Sequence, residues 1–269
     1  MAEINSETDF VSRNKEFQVF SAIVAATVQA TFKIGELVSM DALMGAKPVL
    51  DISHVSREHA SDINILSKSH ATVKDCLGDI VTAIRENIVC RRASQIAVTD
   101  SSCEVVCTYV HGRIGSETFP SSNIQMGKTA AVISLRAEPL KAGAGVSAEQ
   151  LNALREMGRR LAMHAVAASP KYLSIEHIPK EVVEQETAIF RAQTLEAKTP
   201  PKPEMLERII SGKVGKRLGE MSLLGQAHVA EEGQPVVGKH LEAQGGKLGL
   251  RISVKDFSGV YRLGGGLTL

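Results

Sequence analysis

Three short stretches of this chain hold residue types that can do chemistry or grip a charged partner. Gly127-Lys128-Thr129 has the closing residues of a phosphate-binding loop, but that motif needs a second glycine five residues earlier, where Ser122 stands. The following Ala130 to Leu135 reads as a strand, so no helix N-terminus faces a phosphate, and a plain hairpin strand accounts for the residues. His111 and His164 stand apart from other ligands, and a lone imidazole makes neither a metal site nor a catalytic pair. The third stretch is Thr8-Asp9-Phe10-Val11, where a strand-like run, Ala2 to Glu7, meets a helical pattern beginning near Phe10. An Asp9 carboxylate at that point can accept the free amides of a first helical turn. Phe10 is either a plug into the protein's own core, as a hydrophobic staple, or an anchor for a partner.

Composition narrows the classes of function. At 269 residues the chain can bury a proper core, as one large domain or two small ones. Its 31 basic and 30 acidic residues leave a net charge of +1, too little to drive binding to phosphate backbones. Aromatics make up 4% and tryptophan is absent, which removes most stacking platforms for single strands, so no direct nucleic-acid ligand is expected. Cys76, Cys90, Cys103 and Cys107 include no Cys-x-x-Cys and read as thiols in a reducing compartment. No apolar run reaches membrane-spanning length, and no signal or transit peptide precedes Ala2. With no nucleophile elbow, metal-ligand spacing or dinucleotide fingerprint, the expectation is a protein that is not an enzyme and carries no metal or cofactor.

The elements that must position these residues follow from periodicity. Phe17, Phe20, Val24 and Val28 predict one buried helix from Phe10 to Thr31, and only weak helices are expected between Ser39 and Ser69. Thr72 caps a helix whose Val73, Leu77, Ile80, Ile84 and Ile88 share one face. Val105, Cys107 and Tyr109 alternate in a strand ending at His111-Gly112, and Lys128 to Arg136 supplies another. Ser147 and Gln150 form a capping box for a helix that Ser169-Pro170 ends. Pro179 to Lys198 and Glu204 to Leu218 flank a proline-rich turn, Thr199 to Pro203, as an antiparallel helical hairpin. Leu250 to Val254 reads as a last strand, before a glycine-rich end. Strand, loop and helix occur around Ile4 to Val28 and again around Val132 to Ala168, a weak internal duplication.

The run Glu3 to Asn14, with Phe17 and Phe20 following, resembles the signature of translation elongation factor Ts, with Ser6 where that family usually has cysteine. Ile84-Arg85-Glu86-Asn87-Ile88 before Arg91-Arg92 resembles the family's Ile-Gly-Glu-Asn-Ile segment, and Tyr109-Val110-His111-Gly112 its Tyr-x-His-Gly strand end. Ala162 to Pro170, with His164, and Leu224-Gly225-Gln226 follow in family order, although Ala227-His228 replaces the usual Pro-Phe. The resemblance implies an α+β fold of two duplicated subdomains, each a small antiparallel sheet packed with helices, plus a projecting coiled-coil hairpin. Its expected parts are 1–100, then 101–178 with 220–269, and the hairpin 179–219.

The function implied by this resemblance is guanine nucleotide exchange on elongation factor Tu in translation elongation. Thr8, Asp9, Phe10 and Val11 would then meet the partner's nucleotide domain, while His111, Gly112, His164 and Gln226 would meet its third domain. Family members normally carry a three-helix domain ahead of the first strand, and this chain starts at that strand. Either the sequence is incomplete or a docking module is lost; the second case gives the alternative of a non-catalytic scaffold, such as a stable component of a ribosome or other assembly. Gly158-Arg159-Arg160-Leu161 and Gly127-Lys128 resemble mitochondrial members, which points to the mitochondrial matrix over a bacterial-type cytoplasm or a plastid.

Overall fold

In the computed structural model the described residues are 1–34, 38–49, 55–56, 63–120, 124–196 and 203–262, with 203 and 258–262 described by backbone alone. Ser122, the linker Thr199-Pro200-Pro201-Lys202 and the Gly264-Gly265-Gly266 end lie outside them. The fold is α+β with two small sheets, and the chain divides into two compact units. One unit is 1–99 with 106–134 and 260–269; the other is 100–105 with 135–259. The stretch 106–134, with His111, thus falls in the first unit.

In the first unit β1 (Ala2–Ser6) pairs antiparallel with β2 (Ile88–Ala93). The register runs Glu3 to Arg92 and Ile4 to Cys90, so Arg91 is an extra residue on β2. This bulge lets both guanidiniums reach one buried carboxylate, Arg91 Nη1 at 2.9 Å and Arg92 Nε at 2.5 Å from Glu3. Burying Glu3 unpaired would be costly, and the paired cations offset that cost.

The long helix does not begin near Phe10. Phe10–Arg13 is a separate 3-10 turn, and α1 runs from Lys15 to Thr31. Asn14 outcompetes Asp9 as the cap because its extended backbone lets the side chain accept from the amides of Glu16 and Phe17. Phe17, Phe20, Val24 and Val28 are buried as their spacing predicts. Two short helices follow, α2 (Met40–Gly45) and α3 (Asn64–Ser67). Helix α4 (Val73–Ile84) is capped by Thr72, with Asp75 closing a capping box. It stops at Ile84, so Ile88 belongs to β2 and not to the helix face: Arg85 takes the left-handed conformation (φ 61°) and turns the chain.

The second sheet has strand order β3 (Glu104–Ile114), β4 (Met126–Pro139), β5 (Leu250–Arg262). Strand β3 continues two residues past the expected end at Gly112. In the second unit Glu104, fully buried, accepts from Arg136 Nη1 at 3.1 Å and Lys255 Nζ at 2.8 Å, one cation from each other strand. Each sheet therefore holds one buried glutamate against two cations. Helix α5 (Ala148–Ala168) follows β4, with the Ser147–Gln150 capping box and Ser169 as its left-handed cap. Helices α6 (Lys180–Leu195) and α7 (Pro203–Met221) pack on each other, with Arg191 paired to Glu207 and Arg217 to Glu186, the pairing of an antiparallel hairpin. Ile178, Ile210, Val214, Leu218 and Met221 form its buried seam. Helix α8 (Val237–Leu248) leads into β5. Among the described residues no disulfide joins the four cysteines, no group of side chains converges to hold a metal, and no helix is long and apolar enough to cross a membrane.

Candidate partner-binding site

Phe10 is 75% exposed, which excludes the core plug; Val11 beside it goes inward at 3%. The Phe10 ring stands on a braced backbone. Ser6 Oγ donates to the Thr8 carbonyl at 2.8 Å, and Ser12 Oγ to the Asp9 carbonyl at 2.6 Å. Buried Gln18 donates to the Ser12 carbonyl at 3.0 Å and accepts from Thr118 Oγ1 at 2.5 Å. Asn14 N–H donates to the Val11 carbonyl. Ser6, the departure from the family's cysteine, is thus a stronger donor in the place of a weak one.

Asp9 does not perform the capping expected of it. It is the residue before the 3-10 turn, but its backbone is helical and its carboxylate accepts no amide of that turn. The carboxylate points to Lys128 Nζ at 3.8 Å, an exposed pair that salt will screen. Lys128 in turn packs against Gly112. Gly112 sits at φ 61°, and a Cβ there would lie 3.2 Å from Lys128 Cγ. At Gly127 a Cβ would fall 2.6 Å from the His111 carbonyl, so only glycine lets β3 and β4 approach here. His111 and Gly112 are both exposed. The structure therefore brings Asp9, Lys128 and Gly112 together on the first unit, two motifs about 100 residues apart linked by a lysine that the sequence presents as a failed phosphate loop and not as a contact of either motif.

His164 and Gln226 belong to the second unit and are built differently. His164 is 0% exposed on α5. Val229 N–H donates to its Nδ1 at 3.2 Å, so the proton sits on Nε2 and donates to Gln226 Oε1 at 3.0 Å. Gln226 is oriented for this because its amide nitrogen donates to the carbonyls of Glu220, at 2.7 Å, and Ala168. The His228 ring lies 5.0 Å from His164 and 5.5 Å from His240. Burial pushes the His164 pKa down, against the Gln226 hydrogen bond. Burial and then His164 push His228 to about 4, with Glu231 opposing. Both rings are neutral at physiological pH. His164 presents no surface; the exposed residues above the pair are Ala227 and Val229.

Sequence reasoning overlooked Glu86, Gln18 and Ser12. Glu86 stands within a quoted motif, yet its partner is 78 residues away, where the Thr8 side chain and amide both donate to it.

The profile of the family Elongation factor TS matches residues 7–264. The chain belongs to the elongation factor Ts family. It is 30% identical over 267 residues to "Elongation factor Ts, mitochondrial" of Ostreococcus tauri, with 95% of this chain and 70% of that protein covered. It is 32% identical to "Elongation factor Ts" of Caulobacter vibrioides, covering 95% and 67%, and 31% identical to the mitochondrial protein of Oryza sativa subsp. japonica, covering 86% and 56%. The chain thus spans between about half and 70% of the relatives it matches, which carry mitochondrial and bacterial designations. Membership of the elongation factor Ts family gives the protein a role in translation elongation. It also gives a reason for the glycine the family places at position 85: the left-handed backbone seen here suits glycine and strains Arg85.

Proposed function

We propose that this chain is a guanine nucleotide exchange factor that binds elongation factor Tu and promotes GDP release. The observation that carries the reading is Phe10, an exposed aromatic on a backbone fastened on both sides. Exchange needs no chemistry on the nucleotide, and the chain acts as a binding protein rather than a catalyst of bond making. If it and GDP each weaken the other's binding to one partner, the coupling is reciprocal. A thousandfold weakening takes about 4 kcal/mol. A rigidly presented phenyl ring entering the partner near its nucleotide can supply that strain, because little of the binding energy is lost in ordering the ring's own support.

Within this reading Thr8, Asp9, Phe10 and Val11 form the element that meets the partner's nucleotide domain, Phe10 as the anchor and Val11 as its buried root. His111 and Gly112 provide a second contact through their exposed backbone and ring. His164 and Gln226 act from beneath, holding the exposed Ala227 and Val229 in place for the partner's third domain. The mitochondrial matrix is the compartment we favour, on the resemblance to mitochondrial relatives.

Stopped-flow release of fluorescent GDP from the cognate elongation factor Tu tests this. Wild type should accelerate release, and Phe10→Ala should lose about 100-fold of the acceleration, the scale of a central aromatic anchor. Binding without any acceleration would reject the exchange reading and leave the scaffold.

A further inference from the structure

We infer that Glu86 is a positioning residue for the Phe10 turn, acting through Thr8; its functional consequence rests on the exchange reading. The β1–β2 ladder pairs Asn5 with Val89 and Ser6 with Ile88. Continuing that register by two residues sets Thr8 opposite Glu86. Backbone pairing has ended there, because α4 closes at Ile84 and Arg85 turns through the left-handed conformation. The Glu86 side chain takes over the missing rung. Its Oε2 accepts from Thr8 N–H at 3.0 Å and its Oε1 from Thr8 Oγ1 at 2.8 Å.

This contact differs from the other braces of the turn. Ser6, Ser12 and Gln18 are buried and reach it from the core side, whereas Thr8 is exposed and Glu86 half-buried. A carboxylate bridging an amide and a hydroxyl fixes both the backbone and the rotamer of Thr8, two residues before Phe10. The turn then presents Phe10 in one direction before any partner arrives. Without Glu86, the segment from Glu7 to Asp9 keeps its core-side ties and the long, exposed Asp9–Lys128 pair, and the ring samples a wider cone. Misplacement of an already bound anchor lowers the rate of the step it drives more than the affinity.

The test has two arms on the intact chain. In the protein alone, amide hydrogen exchange at Thr8 should rise about 10-fold in Glu86→Ala and return most of the way in Glu86→Gln, which keeps a carbonyl acceptor, with the thermal midpoint unchanged. In the GDP-release assay at saturating protein, Glu86→Ala should lower the maximal rate about 10-fold while half-saturation moves little, and it should add nothing in a Phe10→Ala background. Unchanged Thr8 exchange in Glu86→Ala, or an equal loss of rate with and without Phe10, would overturn the inference. A wild type that fails to accelerate release would overturn the exchange reading instead, and the amide arm still decides whether Glu86 holds the turn.

Discussion

Phe10 keeps three-quarters of its surface in solvent while the backbone around it is tied at Thr8, Asp9 and Ser12; His164 gives up its whole surface and both ring nitrogens to Gln226 and Val229. In the first region rigidity is invested in the backbone, so the side chain stays free for another molecule. In the second the side chain itself is the support, and what it supports is the exposed segment around Ala227 and Val229. A family signature can thus mark either an exposed residue on a fixed backbone or a buried one that holds the surface above it. Burial and hydrogen-bond saturation tell them apart.

That contrast breaks most easily at His164. His164→Ala removes the donor to Gln226 Oε1 and the acceptor of the Val229 amide and opens a cavity, and should lower the unfolding free energy by about 2 to 4 kcal/mol in urea titration. A loss within experimental error would mean the cluster supports nothing. Acidification probes the same region more gently. The pKa of His228 falls from its ordinary 6.5 to about 4 in the fold, so the unfolded chain binds the extra proton first. Stability is therefore intact above pH 6.5 and declines as pH drops towards 4, by about 2 kcal/mol at pH 5. The groups facing His228 are His164, His240, Glu231 and Arg160. His228→Phe should flatten the decline between pH 7 and 5, and an unaltered slope would assign it elsewhere.

The first region responds through its backbone. Arg85→Gly relieves the left-handed conformation before Glu86 and should raise stability by about 1 kcal/mol, read as a higher thermal midpoint. A lowered midpoint would show that the arginine side chain contributes more than its strain costs. The smallest stability effect belongs to the residue with the largest expected functional one: Phe10→Ala should shift the unfolding free energy by less than about 0.5 kcal/mol, because the ring packs on little of its own protein. A larger loss would place Phe10 among the scaffold residues.

Local signals in the sequence were legible. The Ser147–Gln150 capping box, the Thr72 cap and the buried stripe Phe17, Phe20, Val24, Val28 all stand as their spacing indicates, since each depends on residues within a few positions. The start of α1 was misplaced because two capping residues, Asp9 and Asn14, lie five apart, and backbone conformation chooses between them: Asp9 is helical while Asn14 is extended. Strand β3 was ended too early because glycine usually punctuates, whereas Gly112 stays in the strand to let Lys128 pass.

Pattern alone determined helices α1, α4 and α5, the helical hairpin and strands β3 and β4, since these reflect local propensity and the period of apolar residues, whereas α8 and the start of β2 at Ile88 went unread and the α+β class came through the resemblance. The motif residues also carried the family. Tertiary structure alone decided that Phe10 is exposed, that His164 is not, that Asp9 reaches Lys128 beside Gly112, and that Glu86 completes the ladder at Thr8. Each of these joins positions from 62 to 119 residues apart or depends on what such joins cover, and no local periodicity encodes which distant strand or helix will arrive there.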